Sequence, residues 1–226
     1  MHKKKFVHEN VIRFLDTGFT ENGSPYVAVE FLDDPTLNEL LKDERPLPVR
    51  RAVPIVLQCC RALQAAEEHG FVHPDLKPHD ILLVKHGDRA DFVKMLGFMP
   101  NRSNPPKRMR FPPPPYISPE RIAGNTADGR SNIYSLGVIL FQMLSGKLPF
   151  PAIPSRDALH AHLQRPPPRP SQLNPGLSPD LESIVLKMLA KDPKDRYQSM
   201  SEVHEALLAC MQRLGISTEL PRAGEV

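Results

Sequence analysis

The chain is short of cysteine, of long apolar runs and of charge of one sign, and each shortage narrows what it can be. Three cysteines in 226 residues, with Cys59 and Cys60 adjacent and Cys210 far away, are an odd number. Neighbours on a helix point apart, so a disulfide framework is excluded and a reducing, cytoplasmic setting is expected. The longest apolar stretches, AVPIVL and GVILF, fall far short of the 18 or so residues of a membrane span. Behind His2, Lys3, Lys4 and Lys5 the residues His8, Glu9, Asn10 and Arg13 interrupt any apolar region, which excludes a signal peptide. The balance of 29 basic against 26 acidic residues leaves a formal charge of +3. The basic clusters at residues 2–5 and 107–110 carry no aromatic platforms, so no nucleic-acid partner is expected.

Proline is what the chain has in excess, 26 of 226 residues where roughly 5% is usual. Clusters at Pro105–Pro106, Pro112–Pro115 and Pro166–Pro168 cannot lie inside helices or central strands, because the ring fixes φ and removes the donor. They mark stiff connections between folded segments. Between them NVIRFLDTGF and YVAVEFL read as two strands joined at an Asn22-Gly23 turn. From Pro48 to Gly70 the residues Val49, Val53, Val56, Leu57, Cys60 and Leu63 form one helical stripe. DILLVKHGDRADFVKML reads as two short strands, Ser131 to Gly146 as a helix buried on nearly all sides, and Pro179 to Ala190 and Ser201 to Leu214 as amphipathic helices. A hairpin followed by a helical lobe is an α+β pattern.

The stretches FVHPDLKPHDILL, VKMLGFM, PYISPE, SNIYSLGVILFQMLSGKLPF and LAKDPKDRYQS, in this order, resemble the catalytic loop, metal-binding motif, activation-segment end and large-lobe helices of the protein kinase family, in particular bacterial serine/threonine kinases of the PknB-like type. The resemblance implies a kinase-like α+β fold with a mainly helical large lobe and a small lobe reduced to a β-hairpin. Residues 1–32 would be the small-lobe remnant, 33–214 the large lobe with an activation-like segment at 97–120, and 215–226 a tail.

By the same resemblance Asp75 would be the catalytic base and Lys77 its companion. Glu30, Leu32 and Leu82 would be what is left of an adenine pocket. His73, Phe98 and Phe14 would stack as packing residues, Asn132 would hold the catalytic-loop backbone, and Glu120 would form a buried ion pair with Arg196. Several departures point away from catalysis. The chain begins past the family's glycine-rich loop and phosphate-binding lysine, and no G-x-G occurs in it. Gly97 stands where the metal-binding Asp belongs, and Asp80 where a second ligand is normally Asn. Pro74 replaces an Arg that contacts an activation-loop phosphate, and Pro113 replaces a Thr that contacts the catalytic pair.

These departures lead to the expectation of a pseudokinase rather than an enzyme, with Asp75, Lys77 and Asp80 vestigial, no metal and no cofactor. The alternative is a serine/threonine kinase using ATP and Mg²⁺, residually active or read from a shortened frame; a gene product without function is the third possibility. A metal site built from His69, His73, Asp75, His79 and Asp80 is not expected, since their spacing follows the kinase motif and no cysteine joins them. The hairpin, residues 7–32, carries Val11, Phe14, Val27, Val29 and Phe31 and lacks flanking strands. It is expected to be covered by a second copy or a partner protein, or by the proline-rich segment folding back.

Overall fold

The computed structural model of the chain describes residues 6–100, 115–125, 128–150 and 156–222. Lys3 to Lys5, the cluster at 107–110 and Pro113 lie outside them, so what was expected of these residues has no structural counterpart here.

Strands β1 (Phe14–Phe19) and β2 (Pro25–Val29) form the antiparallel hairpin, with Phe14 opposite Val29 and Phe19 opposite Pro25. At its tip Gly23 adopts φ +75, a left-handed conformation that a side chain would strain, and its N–H donates to the Thr20 carbonyl at 2.8 Å. Helix α1 (Leu37–Asp43) follows, opened by a capping box in which Thr36 accepts from the Glu39 N–H and the Glu39 carboxylate accepts from the Thr36 N–H.

Helix α2 (Val49–Glu68) is the central element. Every residue from Arg51 to Cys60 is buried, which corrects the single apolar stripe read from sequence. The physical reason is that α2 packs at once against both helices and strands, so its polar residues are covered too. The polar groups buried in this way are satisfied. Arg51 grips Asp91 with two hydrogen bonds at 2.7 and 3.0 Å and reaches Glu44 at 2.6 Å. Gln58 accepts from the Val93 N–H at 2.9 Å and from Asn10 at 3.2 Å.

After α2 come β3 (Phe71–Val72), β4 (Ile81–His86), β5 (Arg89–Met95) and β6 (Met99–Pro100), with β3 paired to β6 and β4 to β5, both antiparallel. A short α3 (Pro119–Ile122) leads into α4 (Gly129–Ser145), then α5 (Arg156–Leu163), α6 (Pro179–Met188) and α7 (Met200–Arg213). Ser178 caps α6 and Ser199 caps α7 through their hydroxyls. Helix α4 is apolar nearly all round because α2, α6 and α7 all pack on it. Fully buried Tyr134 and Phe141 on α4 are among its largest side chains, each contributing about 1.5–3 kcal/mol by leaving water. The result is a mainly helical large lobe with a hairpin at one end, an α+β fold.

The described residues ahead of the hairpin pack into the core. Phe6, Val11 and Ile12 are buried, and Ile12 and Asn10 exchange backbone hydrogen bonds with Met95 of β5. Val11 therefore belongs to the core rather than to the hairpin face, whose exposed apolar side chains are Leu15, Phe19, Tyr26, Val27 and, just beyond β2, Phe31.

Candidate active site

The loop between β3 and β4 concentrates the polar residues singled out in the sequence. Its course is set by two prolines, Pro74 and Pro78, and by a turn of 3₁₀ helix at Pro78–Asp80. The Lys77 ammonium sits between two carboxylates, 3.1 Å from Asp75 Oδ2 and 3.3 Å from Asp80 Oδ2. It also donates to the Asp75 carbonyl at 3.3 Å. Burial pulls its proton affinity down, but the two carboxylates outweigh burial and hold it above the ordinary lysine value. Asp80 is deeper, accepts from the Lys77 N–H at 3.1 Å, and is raised by burial against the opposing pull of Lys77. The Asp75 side chain is 48% exposed, so its carboxylate can be reached by a substrate.

Behind the loop His73 is 2% exposed. The Leu96 carbonyl accepts from His73 Nε2 at 2.6 Å, which places the proton on that nitrogen and leaves Nδ1 without a partner. Burial outweighs that hydrogen bond and pushes the imidazole down to about 4, so it is neutral near pH 7. Its ring meets Phe98 edge-on at 5.4 Å. Phe98 also meets the Phe6 ring edge-on, at 5.9 Å. Phe14, expected in this stack, is only half-buried and packs at the margin of the core. Nothing in the spacing of Phe6 signalled its role, because the contact depends on residues 10–12 pairing with β5 and so bringing Phe6 back to Phe98.

Gly97 adopts φ +88, and a Cβ built there would lie 2.8 Å from His73 Nε2. A side chain at this position is therefore strained by the backbone and obstructed by the imidazole. Asp80 is left as the one carboxylate at the two expected metal positions. Among the described residues no group of three or more His, Cys, Asp and Glu is placed to hold a metal ion.

The backbone of the loop is tied down from α3 and α4. Asn132 of α4, with its amide in the orientation that satisfies both groups, donates to the His73 carbonyl at 2.7 Å and accepts from the His73 N–H at 3.3 Å. Arg121 of α3 donates to the His73 carbonyl at 3.0 Å and also to the Pro74 carbonyl. Arg121 was not singled out in the sequence. Its neighbour Glu120 meets Arg196 through two hydrogen bonds at 2.9 and 2.8 Å and accepts from the Ser131 hydroxyl at 2.5 Å. Burial alone would raise the Glu120 carboxyl, but Arg196 and Ser131 prevail and hold it at about 2.

The adenine-side residues are less assembled. The Glu30 carboxylate accepts from the Arg13 N–H at 3.0 Å and from Lys94 Nζ at 3.2 Å, which keeps it below the ordinary carboxylate value, the Arg13 N–H being the larger cause. That side chain is already engaged. Leu82 is buried beside Thr36, and Leu32 is half-buried. Cys59 and Cys60 are buried thiols, and burial pushes Cys59 up to about 12, so neither is a nucleophile.

Comparison with known proteins supplies the wider context. The family described as protein kinase domain matches residues 1–208. The chain is 38% identical over 224 residues to serine/threonine-protein kinase Pkn1 of Myxococcus xanthus, covering 96% of this chain and 32% of that protein. It is 32% identical over 210 residues to serine/threonine-protein kinase PknB of Mycobacterium leprae, covering 89% and 33% respectively. With serine/threonine-protein kinase pkn3 of Myxococcus xanthus it shares 35% identity over 217 residues, 91% of this chain and 40% of the relative. The chain thus spans about a third of the length of the first two curated relatives.

These relatives are kinases by name, and they overturn the expectation that the chain is not an enzyme. That expectation gave the replaced positions, Gly97 above all, more weight than the chemical pair. Asp75 and Lys77 lie 3.1 Å apart on a loop whose backbone is held from two helices.

Proposed function

Because the chain belongs to the protein kinase domain family, we propose that it serves phosphoryl transfer from ATP to a serine or threonine hydroxyl, with Asp75 as the base. The observation that carries this reading is the Asp75–Lys77 pair, a reachable carboxylate beside a lysine held protonated. A carboxylate in this position orients the attacking hydroxyl and accepts its proton as the phosphorus–oxygen bond forms. Lys77 carries three rotatable donors, so its ammonium can turn from Asp75 toward the oxygens of the transferring group while Asp80 retains a contact with it. Leu82 and the backbone at Glu30 to Leu32 are the groups we assign to the adenine.

Family membership implies ATP and Mg²⁺, against the expectation of no cofactor. The described residues fit only part of this: Asp80 is a single carboxylate, and Gly97 supplies no second one. The three free, buried cysteines support a reducing, cytoplasmic setting.

The test is phosphate incorporation from labelled ATP with Mg²⁺ into a generic serine- and threonine-bearing protein, comparing wild type with Asp75→Asn. Loss of the base is expected to lower the rate by about 10²- to 10⁴-fold. Equal incorporation by the two chains, or none by wild type, would refute the assignment.

A further inference from the structure

The carbonyls of three consecutive residues, His73, Pro74 and Asp75, each accept a hydrogen bond from a cationic side chain. Arg121 serves the first two and Lys77 the third. Pro74 has no N–H and no polar side chain, so this stretch cannot fasten itself through that residue. The contacts from Arg121 cross 47 and 48 residues of sequence, so they join the loop to α3 rather than to itself. Among the described residues Arg121 has no carboxylate partner within ion-pair distance, and the donors of its fork with known partners go to these two carbonyls. A guanidinium presents them in a rigid plane, a shape suited to two adjacent carbonyls and not to rotation between alternatives.

We infer that Arg121 is a positioning residue for Asp75, clamping the peptide units just before it so that the carboxylate is presented in one place. Among the described residues the exposed Asp75 side chain has Lys77 as its one side-chain partner, so its location is governed by its own backbone. Arg121 holds that backbone upstream and Lys77 holds it downstream. Asn132 supports the same His73 peptide from α4, but it does not reach Pro74, the unit bonded directly to Asp75. The buried pair Glu120–Arg196 anchors α3 one residue away, so Arg121 projects from a fixed base.

The consequence for catalysis rests on the kinase reading above; the clamp itself does not. Two variants of the full chain test it. Arg121→Met keeps the aliphatic stem and removes every donor, and Arg121→Lys keeps the charge but loses the planar fork that fits two adjacent carbonyls. Hydrogen exchange at the amides of His73 and Lys77, which donate to Asn132 and Asp80, is expected to quicken at least roughly tenfold in Arg121→Met, the equivalent of losing one charged hydrogen bond. The increase should be smaller in Arg121→Lys, and the amides of α4 and α7 should be unaffected in both. Phosphate transfer is measured in parallel, with a fall in kcat at unchanged KM for ATP as the expected signature of a misplaced base. Faster exchange at His73 and Lys77 in a chain that transfers no phosphate supports the clamp while refuting the kinase reading. Unchanged exchange at these amides overturns the clamp whatever the activity, and so does an increase spread equally over α4 and α7. If Arg121→Met fails to fold, Arg121→Lys is judged by the same criterion.

Discussion

Removing the Glu120 carboxylate tests how the activation-segment end is fastened to the large lobe. In Glu120→Ala the Arg196 side chain, 0% exposed, keeps its charge and loses both carboxylate oxygens. It retains the carbonyls of Ala190, Lys191 and Arg130 as acceptors. Breaking a buried pair by deleting one partner costs about 3–5 kcal/mol, and the retained carbonyls place this site near about 3 kcal/mol. The depressed carboxyl leads to the same magnitude. Its value falls from 4.5 in the unfolded chain to about 2 in the folded one, worth about 3 kcal/mol at roughly 1.4 kcal/mol per unit. Because the folded value is the lower one, this stability is fully present above pH 4.5 and is lost as pH falls toward 2. For a chain of this size the melting midpoint should drop by roughly 6–12 °C at pH 7. Asp75→Ala is the control, since that side chain is half-exposed and among the described residues pairs with Lys77 alone, and its shift should stay within about 2 °C. Thermal unfolding followed by circular dichroism reads both variants. Equal midpoints, or a Glu120→Ala deficit that does not shrink between pH 4.5 and pH 3, would refute the reasoning.

Two other outcomes follow from the same geometry. Gly97→Asp supplies the carboxylate expected of the family but at φ +88 and against the His73 imidazole, so it should cost about 1–3 kcal/mol of stability; an unchanged melting midpoint would show that the segment relaxes freely. The hairpin exposes Phe19 at 75%, Val27 at 56% and Phe31 at 87%, and a two-stranded sheet is marginal alone. The mass measured by light scattering should therefore rise with concentration for wild type and not for the double variant Phe19→Asp, Val27→Asp, whereas a wild type that stays monomeric throughout would count against association through this face.

What sequence alone determined here is what depends on near neighbours. The Asn22-Gly23 turn, the hydroxyl caps at Ser178 and Ser199, and the apolar run of α4 are set by interactions within a few residues, and such interactions are written in local order. The motif around Asp75 belongs to this class, since the pair Asp75–Lys77 is separated by two positions. Helix α1 was legible but overlooked, its signal being the T-x-x-E capping box at Thr36 and Glu39. Tertiary structure decided the rest. Whether the polar face of α2 meets water depends on β5 and the residues near Asn10 covering it, which no helical period reports. The choice of Phe6 over Phe14 beside Phe98 depends on residues 10–12 pairing with β5. The cost of a side chain at Gly97 is set by an imidazole from another strand connection. Arg121 reaches the carbonyls before Asp75 only because Glu120 and Arg196, 76 residues apart, fix α3 against the large lobe. Contacts over such separations arise from packing many elements together, so they become visible only when the chain is folded.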